Sequence, residues 1–176
     1  LVIYASSQSH SSVEKAALLA GFGRDNVRAV ETDASHALKS GKLEALIQED
    51  IASGKTPCAI VASVGTTATT AIDSVEECVR IAKHYNMWLH VDAAMAGSAM
   101  ILPECRWMWK GIEGVDSIVI NPHKWLGSVF DCTLYYVRDP EHLVRVMSTN
   151  PSYLQTSAYL AKETAEASTE LQKQLQ

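Results

Sequence analysis

Four polar clusters carry the side chains in this sequence that could do chemistry, and each stands just past a short apolar, β-prone run. His10 follows residues 1–6, Gly65-Thr66-Thr67 follows residues 58–64, Asp92 closes Trp88-Leu89-His90-Val91, and Asn121-Pro122-His123-Lys124 follows residues 116–120. In open α/β sheets the ligand crevice lies outside the carboxyl ends of the strands, so these distant positions are expected to converge on one pocket. The set contains an amine (Lys124), a carboxylate (Asp92), an imidazole plane (His10) and neutral hydrogen-bonding groups (Thr67 and Asn121).

Those types suit pyridoxal phosphate. An amine must form an imine with the aldehyde, and Lys124 is the amine of the set. A carboxylate must keep the pyridine nitrogen protonated so that the ring can accept electrons, which Asp92 is placed to do. An aromatic or imidazole plane must cover the ring, as His10 could, while Asn121 and Thr67 could steady phosphate or ring oxygens. Each residue also has a plainer use. A lysine after a strand is commonly a solvated loop residue, Asp92 before Ala93-Ala94 could cap a helix, and Asn121-Pro122 could be a simple turn. His10 could cap the helix beginning beside it, and His90 could be a satisfied core histidine. Gly65-Thr66-Thr67 lacks the Gly-Lys-Ser/Thr ending of a nucleotide phosphate loop.

The elements that must position these groups alternate. Residues 1–6 read as a strand, and Ser11-Ser12-Val13-Glu14 reads as a capping box opening a helix that stops near Gly21. Residues 26–31 form a second strand. Leu43, Leu46, Ile47 and Ile51 recur at helical spacing in 42–53, ended by Gly54. Residues 58–64 are continuously apolar, as in a strand covered on both faces. Asp73 with Glu76 repeats the capping signature before a helix reaching Tyr85, and strands follow at 87–91, 116–120 and 132–137. The pattern predicts an α/β fold with a mainly parallel sheet. Only a short connection separates residue 120 from residue 132. A parallel crossover needs about a dozen residues or more, so the last strand is expected to run antiparallel.

Composition narrows the class. At 176 residues, 47 % apolar and 20 % charged, the chain has the profile of a soluble globular domain. Its formal net charge of −5 gives no reason to expect nucleic acid or an anionic membrane as partner. No apolar run approaches the roughly 20 residues of a membrane span. Leu1-Val2-Ile3-Tyr4-Ala5 reads as a strand beginning mid-fold rather than a signal peptide. Cys58, Cys78, Cys105 and Cys132 are too scattered for a metal or redox motif, and three of them, within apolar segments, read as small core residues in a reducing compartment, so no metal is expected and the location expected is cytoplasmic. The four tryptophans read as packing residues, and His36, His84 and His142 as surface residues. Residues 1–155 are expected to belong to one domain, and 156–176 to a polar, helix-prone tail.

Five ordered motifs carry a resemblance. Ser9-His10-Ser11-Ser12-Val13-Glu14-Lys15-Ala16, Gly65-Thr66-Thr67, Leu89-His90-Val91-Asp92-Ala93-Ala94, Ala96-Gly97-Ser98-Ala99 and Asn121-Pro122-His123-Lys124-Trp125 resemble, in order and spacing, the group II pyridoxal-phosphate decarboxylases. The likeness runs from residue 1 to about residue 155. It implies that this is the central part of the large domain of an aspartate-aminotransferase-type enzyme (fold type I), with pyridoxal 5'-phosphate as cofactor and a homodimer as the assembly. It further implies that Lys124 is the cofactor lysine and Asp92 the partner of the ring nitrogen. His10 would stack on the ring, Ala94 pack beneath it, Thr67 and Asn121 contact the cofactor, and His123 lie beside cofactor and substrate.

Trp125 and the Ala96–Ala99 run are most similar to the aromatic-L-amino-acid decarboxylases, which act on L-DOPA, L-tryptophan or L-tyrosine. Met95, where animal and plant members usually carry Tyr, and Arg106-Trp107-Met108-Trp109 look more like a bacterial member. The family's earlier phosphate-binding segment, its later catalytic loop and its C-terminal domain are not recognisable, so the chain resembles a fragment. The alternatives are a histidine decarboxylase, an aromatic aldehyde synthase, or a truncated and catalytically silent chain.

Overall fold

The computed structural model describes residues 1–148. The chain divides into two compact units, Leu1–Arg138 and Asp139–Gln176. The first holds a six-stranded sheet: β1 (Val2–Ser6), β2 (Val27–Val30), β3 (Pro57–Ser63), β4 (Trp88–Asp92), β5 (Ser117–Ile120) and β6 (Leu134–Val137). Their order is β2-β1-β3-β4-β5-β6. All neighbours pair in parallel except β5 and β6, which are antiparallel. The sheet is therefore the expected one, including the reversed last strand. The described part of the second unit is one helix, Pro140–Met147, capped by the Asp139 side chain on the Glu141 amide. The expected tail at 156–176 lies outside the described residues.

Helices α1 (Ser12–Leu19), α2 (Ser40–Ala52) and α3 (Val75–His84) form the long crossovers, and α4 (Pro122–Trp125) is a single turn after β5. The chain steps from β1 to β2 in one direction and then to β3 and β4 in the other. Right-handed crossovers of opposite direction put their helices on opposite faces of a sheet. Leu43 and Ile47 of α2 and Val75 and Ile81 of α3 are fully or almost fully buried, in one cluster with Ile60, Ala62, Leu89 and Val91. In β4 that leaves Trp88, His90 and Asp92 half-buried on the other face. The run at 58–64 is thus less symmetrical than its composition suggests. Ile60 and Ala62 face the core, while Ala59, Val61 and Ser63 line a cavity.

Several local expectations are corrected. Ser11 makes no side-chain cap bond to α1; the His10 ring takes that place, its Nδ1 accepting from the Ser12 amide at 3.2 Å. Glu14, the other half of the expected capping box, pairs with Arg24. Asp73 is not the cap of α3, because Ser74 Oγ accepts from the Glu77 amide. Asp73 is instead fully buried and accepts from the amides of Leu38 (2.7 Å) and Ser63 (2.8 Å). Of the cysteines only Cys78 is buried; Cys58, Cys105 and Cys132 are partly exposed. Trp109 is buried, but Trp107 and Trp125 stand in solvent.

One ionic cluster ties the edge of the sheet together. Asp50 of α2 takes a bidentate bond from Arg28 of β2 (2.9 and 2.7 Å) and accepts from the hydroxyl of fully buried Tyr4 of β1 at 2.9 Å. Bonding to Arg28 holds the Asp50 carboxyl at about 2, below its ordinary 3.8. Burial, with the Asp50 carboxylate alongside, raises Tyr4 well above the usual phenol range. A carboxyl depressed on folding stabilises the fold above its ordinary pKa and loses that contribution as pH falls through the folded value. Asp50→Ala, which leaves the Tyr4 hydroxyl without its acceptor, is expected to cost about 1–3 kcal/mol near neutral pH. Urea unfolding of the variant and the parent should give a stability difference that narrows between pH 4 and pH 2, as the ionic part of the Asp50 contribution is lost. A difference independent of pH would rule out the ionic account.

Candidate functional site

The order in which strands join the sheet reverses between β1 and β3. The loops leaving their carboxyl ends run apart, and that topology leaves a crevice for ligands. A cavity of about 530 Å³ occupies this place. His10, from the turn after β1, and Thr66 and Thr67, after β3, line it together with Asp92 and Ala94 at the end of β4 and Asn121 and Lys124 after β5. Six of the seven residues expected at a site therefore share one cavity wall. His123 does not: its Nδ1 lies 2.8 Å from the carbonyl oxygen and 3.1 Å from the amide of Cys132, and its ring meets Phe130 edge-on. The one-turn helix α4 explains the split, since consecutive helical residues point about 100° apart and Lys124 faces the cavity.

Each polar group is held by local backbone. Asp92 Oδ1 accepts from the Ala94 amide at 3.1 Å, which fixes the carboxylate at the strand end. The His10 ring is anchored through Nδ1 to Ser12, and its Nε2 has no hydrogen-bond partner among the described residues. Both the capping role and the cavity position of His10 are thus present at once. The 65–71 loop is closed by Gly65 and Thr66 amides donating to the Ala71 carbonyl and by Thr66 Oγ1 accepting from the Ala71 amide. Asn121 presents a side-chain oxygen that is buried and has no hydrogen-bond partner among the described residues. Such an orphan is costly unless something satisfies it, and a polar ligand in the cavity would do so.

Thr66, part of the cluster expected here, faces the cavity beside Thr67, while sequence reasoning assigned no site role to Ser63, His90, Met95, Val119 and Thr133, which also face it. For Ser63, His90 and Val119 the signal was strand alternation with predicted neighbours. For Thr133 there was none, because its place depends on β6 folding back beside β5. Among the described residues no group of His, Cys, Asp and Glu is placed to hold a metal ion, and no helix is long and apolar enough to cross a membrane.

A lysine, a carboxylate, an imidazole and a side-chain amide at the strand ends of a mixed, mainly parallel sheet define the cofactor-binding domain of a fold type I pyridoxal phosphate protein. Residues 1–175 match the pyridoxal-dependent decarboxylase conserved domain, and the chain belongs to that family. Tyrosine/DOPA decarboxylase 2 of Papaver somniferum is 44 % identical over 160 residues, covering 90 % of this chain and 30 % of that protein. Phenylacetaldehyde synthase of a Rosa hybrid cultivar is 44 % identical over 165 residues, covering 93 % and 32 %. The crystal structure of Oryza sativa TDC with PLP and tryptamine superposes with a TM-score of 0.86 at 43 % identity, covering 92 % of this chain and 34 % of that one. The chain spans about a third of the length of the relatives it matches.

Gly65 offers a test of how the loop positions its threonines. Its φ of +83° is left-handed, and a Cβ built there would lie 2.3 Å from that of Ala96. Gly65→Ala is expected to lose at least ~1 kcal/mol from backbone strain alone, and more from displacing the loop off Ala96. Thermal unfolding together with cofactor titration should show both stability and pyridoxal phosphate affinity reduced. Unchanged affinity would mean that Thr66 and Thr67 contribute nothing to holding it.

Proposed function

We propose that this chain is the cofactor-holding core of an enzyme that removes the α-carboxylate of an aromatic L-amino acid, giving the amine and CO2. The observation that carries the reading is the convergence of Lys124, Asp92 and His10 on one cavity at the strand ends. The residues fit pyridoxal phosphate: Lys124 is the amine that would hold it covalently, Asp92 the anion for its ring nitrogen, and Thr67 and the Asn121 amide, whose buried oxygen has no partner among the described residues, the polar contacts. When bound, that cofactor supplies an electron sink for the pair left behind as CO2 departs.

The chain's own groups do the rest. Asp92, held by the Ala94 amide, keeps a proton on the ring nitrogen by Coulomb attraction. His10, fixed by Ser12 through Nδ1, lines the cavity together with the aliphatic Val13 and Ala16. Ala94 lines the same cavity with a small side chain. His123 acts, in this reading, by holding the Cys132 backbone, one residue before the cavity-lining Thr133, rather than by touching the cofactor. Relatives named for tyrosine, DOPA and tryptophan support the aromatic class. The exposed Ile101, Leu102, Trp107, Val129 and Phe130 support a homodimer that covers them. A cytoplasmic location completes the reading.

A second reading is favoured by one observation: a phenylacetaldehyde synthase is as similar as the decarboxylases. Incubating the purified protein with L-DOPA, L-tyrosine, L-tryptophan and L-histidine and analysing the products separates the two. An amine supports decarboxylation and an aldehyde the synthase; absence of both with every substrate would refute catalysis by this chain.

Two variants test the assignments. Borohydride reduction in the presence of pyridoxal phosphate is expected to link the cofactor to Lys124, as read by peptide mapping, and Lys124→Ala should abolish that label. A label on Lys83 or Lys110 would overturn the assignment. Asp92→Asn should still bind cofactor while losing turnover by several orders of magnitude, since the ring nitrogen loses its counterion. Near-normal turnover would reduce Asp92 to a turn residue.

A further inference from the structure

Two residues before Asp92, on the same face of β4, His90 lines the cavity and is held from beneath. Its register partner on β5 is Ser117. Ser117 is 3 % exposed, and its Oγ lies 2.8 Å from His90 Nδ1 and accepts from Trp88 Nε1 at 2.9 Å. The indole can only donate, so it occupies a lone pair of the hydroxyl. The hydroxyl proton then needs an acceptor, and among the described residues His90 Nδ1 is the one in reach. That assigns the neutral ring with its proton on Nε2. Protonating Nδ1 would make Ser117 accept two bonds and strand its own proton in a buried place, a costly arrangement.

We propose that Ser117 is a positioning residue whose bonds to Trp88 and His90 keep His90 neutral, so that Asp92 gains no counterion from this strand and its charge acts on the cofactor's ring nitrogen. This rests on the reading of Asp92 given above. An imidazolium two residues away would be a competing cation for the same carboxylate. Burial pushes the His90 ring below its ordinary value, against the opposing pull of Asp92. The other groups around the ring are Tyr135 of β6, stacked at 6.2 Å, and Lys124 and His10 on the same cavity. From β3 come Val61 and Ser63, which carry no charge.

The test begins on the unmodified, cofactor-loaded protein. With ¹⁵N-labelled histidine, ring nitrogen shifts of His90, assigned by its disappearance in His90→Gln, are expected to report the neutral Nε2–H form from pH 6 to pH 8. The Nδ1–H form or an imidazolium at pH 7 would overturn the proposal without any variant at position 117. In Ser117→Ala the His90 titration should move up by about one pH unit, with a shift in the pH titration of the bound cofactor's absorbance. Ser117→Thr, which keeps the hydroxyl, should restore the parent curve. So should His90→Gln in the Ser117→Ala background, because an uncharged side chain cannot compete for Asp92; a purely structural defect would not be repaired that way. An unaltered absorbance titration in folded Ser117→Ala refutes the role. Failure of the borohydride label to reach Lys124 would instead refute the cofactor assignment, leaving the His90 tautomer measurable on its own.

Discussion

Strand alternation under one-sided burial governs this molecule. Successive residues of β4 must point to opposite faces, and the helices α2 and α3 cover only one of them. Leu89 and Val91 therefore go into the core, fully buried, and Trp88, His90 and Asp92 are delivered together to the other face. A shift of one residue in register would exchange the two sets, placing a carboxylate in the core and two aliphatic side chains in the cavity. The same rule aligns Ala59, Val61 and Ser63 on β3 and Ser117 and Val119 on β5. The apolar contacts of the core thereby hold the polar groups of the site in place at a distance.

The cavity follows from the order of the strands rather than from any one loop. The chain adds β2 on one side of β1 and everything else on the other, so the connections leaving β1 and β3 diverge. Small residues let the neighbouring segments close in around that gap. Gly65 admits the backbone of residue 96, and a Cβ at Gly97 would meet Ile120 at 2.8 Å. Buried acceptors finish the frame. Asp73 binds two amides 25 positions apart in sequence, Leu38 and Ser63, and so joins the loop before α2 to the end of β3. Burial raises its carboxyl while those two bonds lower it.

Legibility differed by kind of feature. Helices and strands with clear periodicity were readable, and so was the antiparallel β6, because chain length alone forbids a parallel return. Cap assignments were not. Ser11 and Glu14 have the right types and spacing, yet the His10 ring reaches the Ser12 amide first and Arg24 draws Glu14 away. Asp73 stands one residue before the true cap, Ser74, and a carboxylate that finds two buried amides has a better use than the helix terminus. The first competition is local, but Arg24 and the Leu38 and Ser63 amides stand outside the capping signatures, which therefore do not contain the groups that decide the other two.

The sequence by itself determined the family, the alternation of elements and the identity of the chemical groups, since Lys124, Asp92, His10 and Asn121 stand at fixed offsets from apolar runs whose strand character is local. The tertiary structure alone decided which of those groups meet. It turned Lys124 into the cavity and His123 toward Cys132, although the two are adjacent, because a helical turn separates neighbouring side chains. It also brought Ser117 beneath His90, a pairing set by the register of two strands whose residues lie 27 apart. Register arises from packing the whole sheet at once, and for that reason it is absent from any short stretch of sequence.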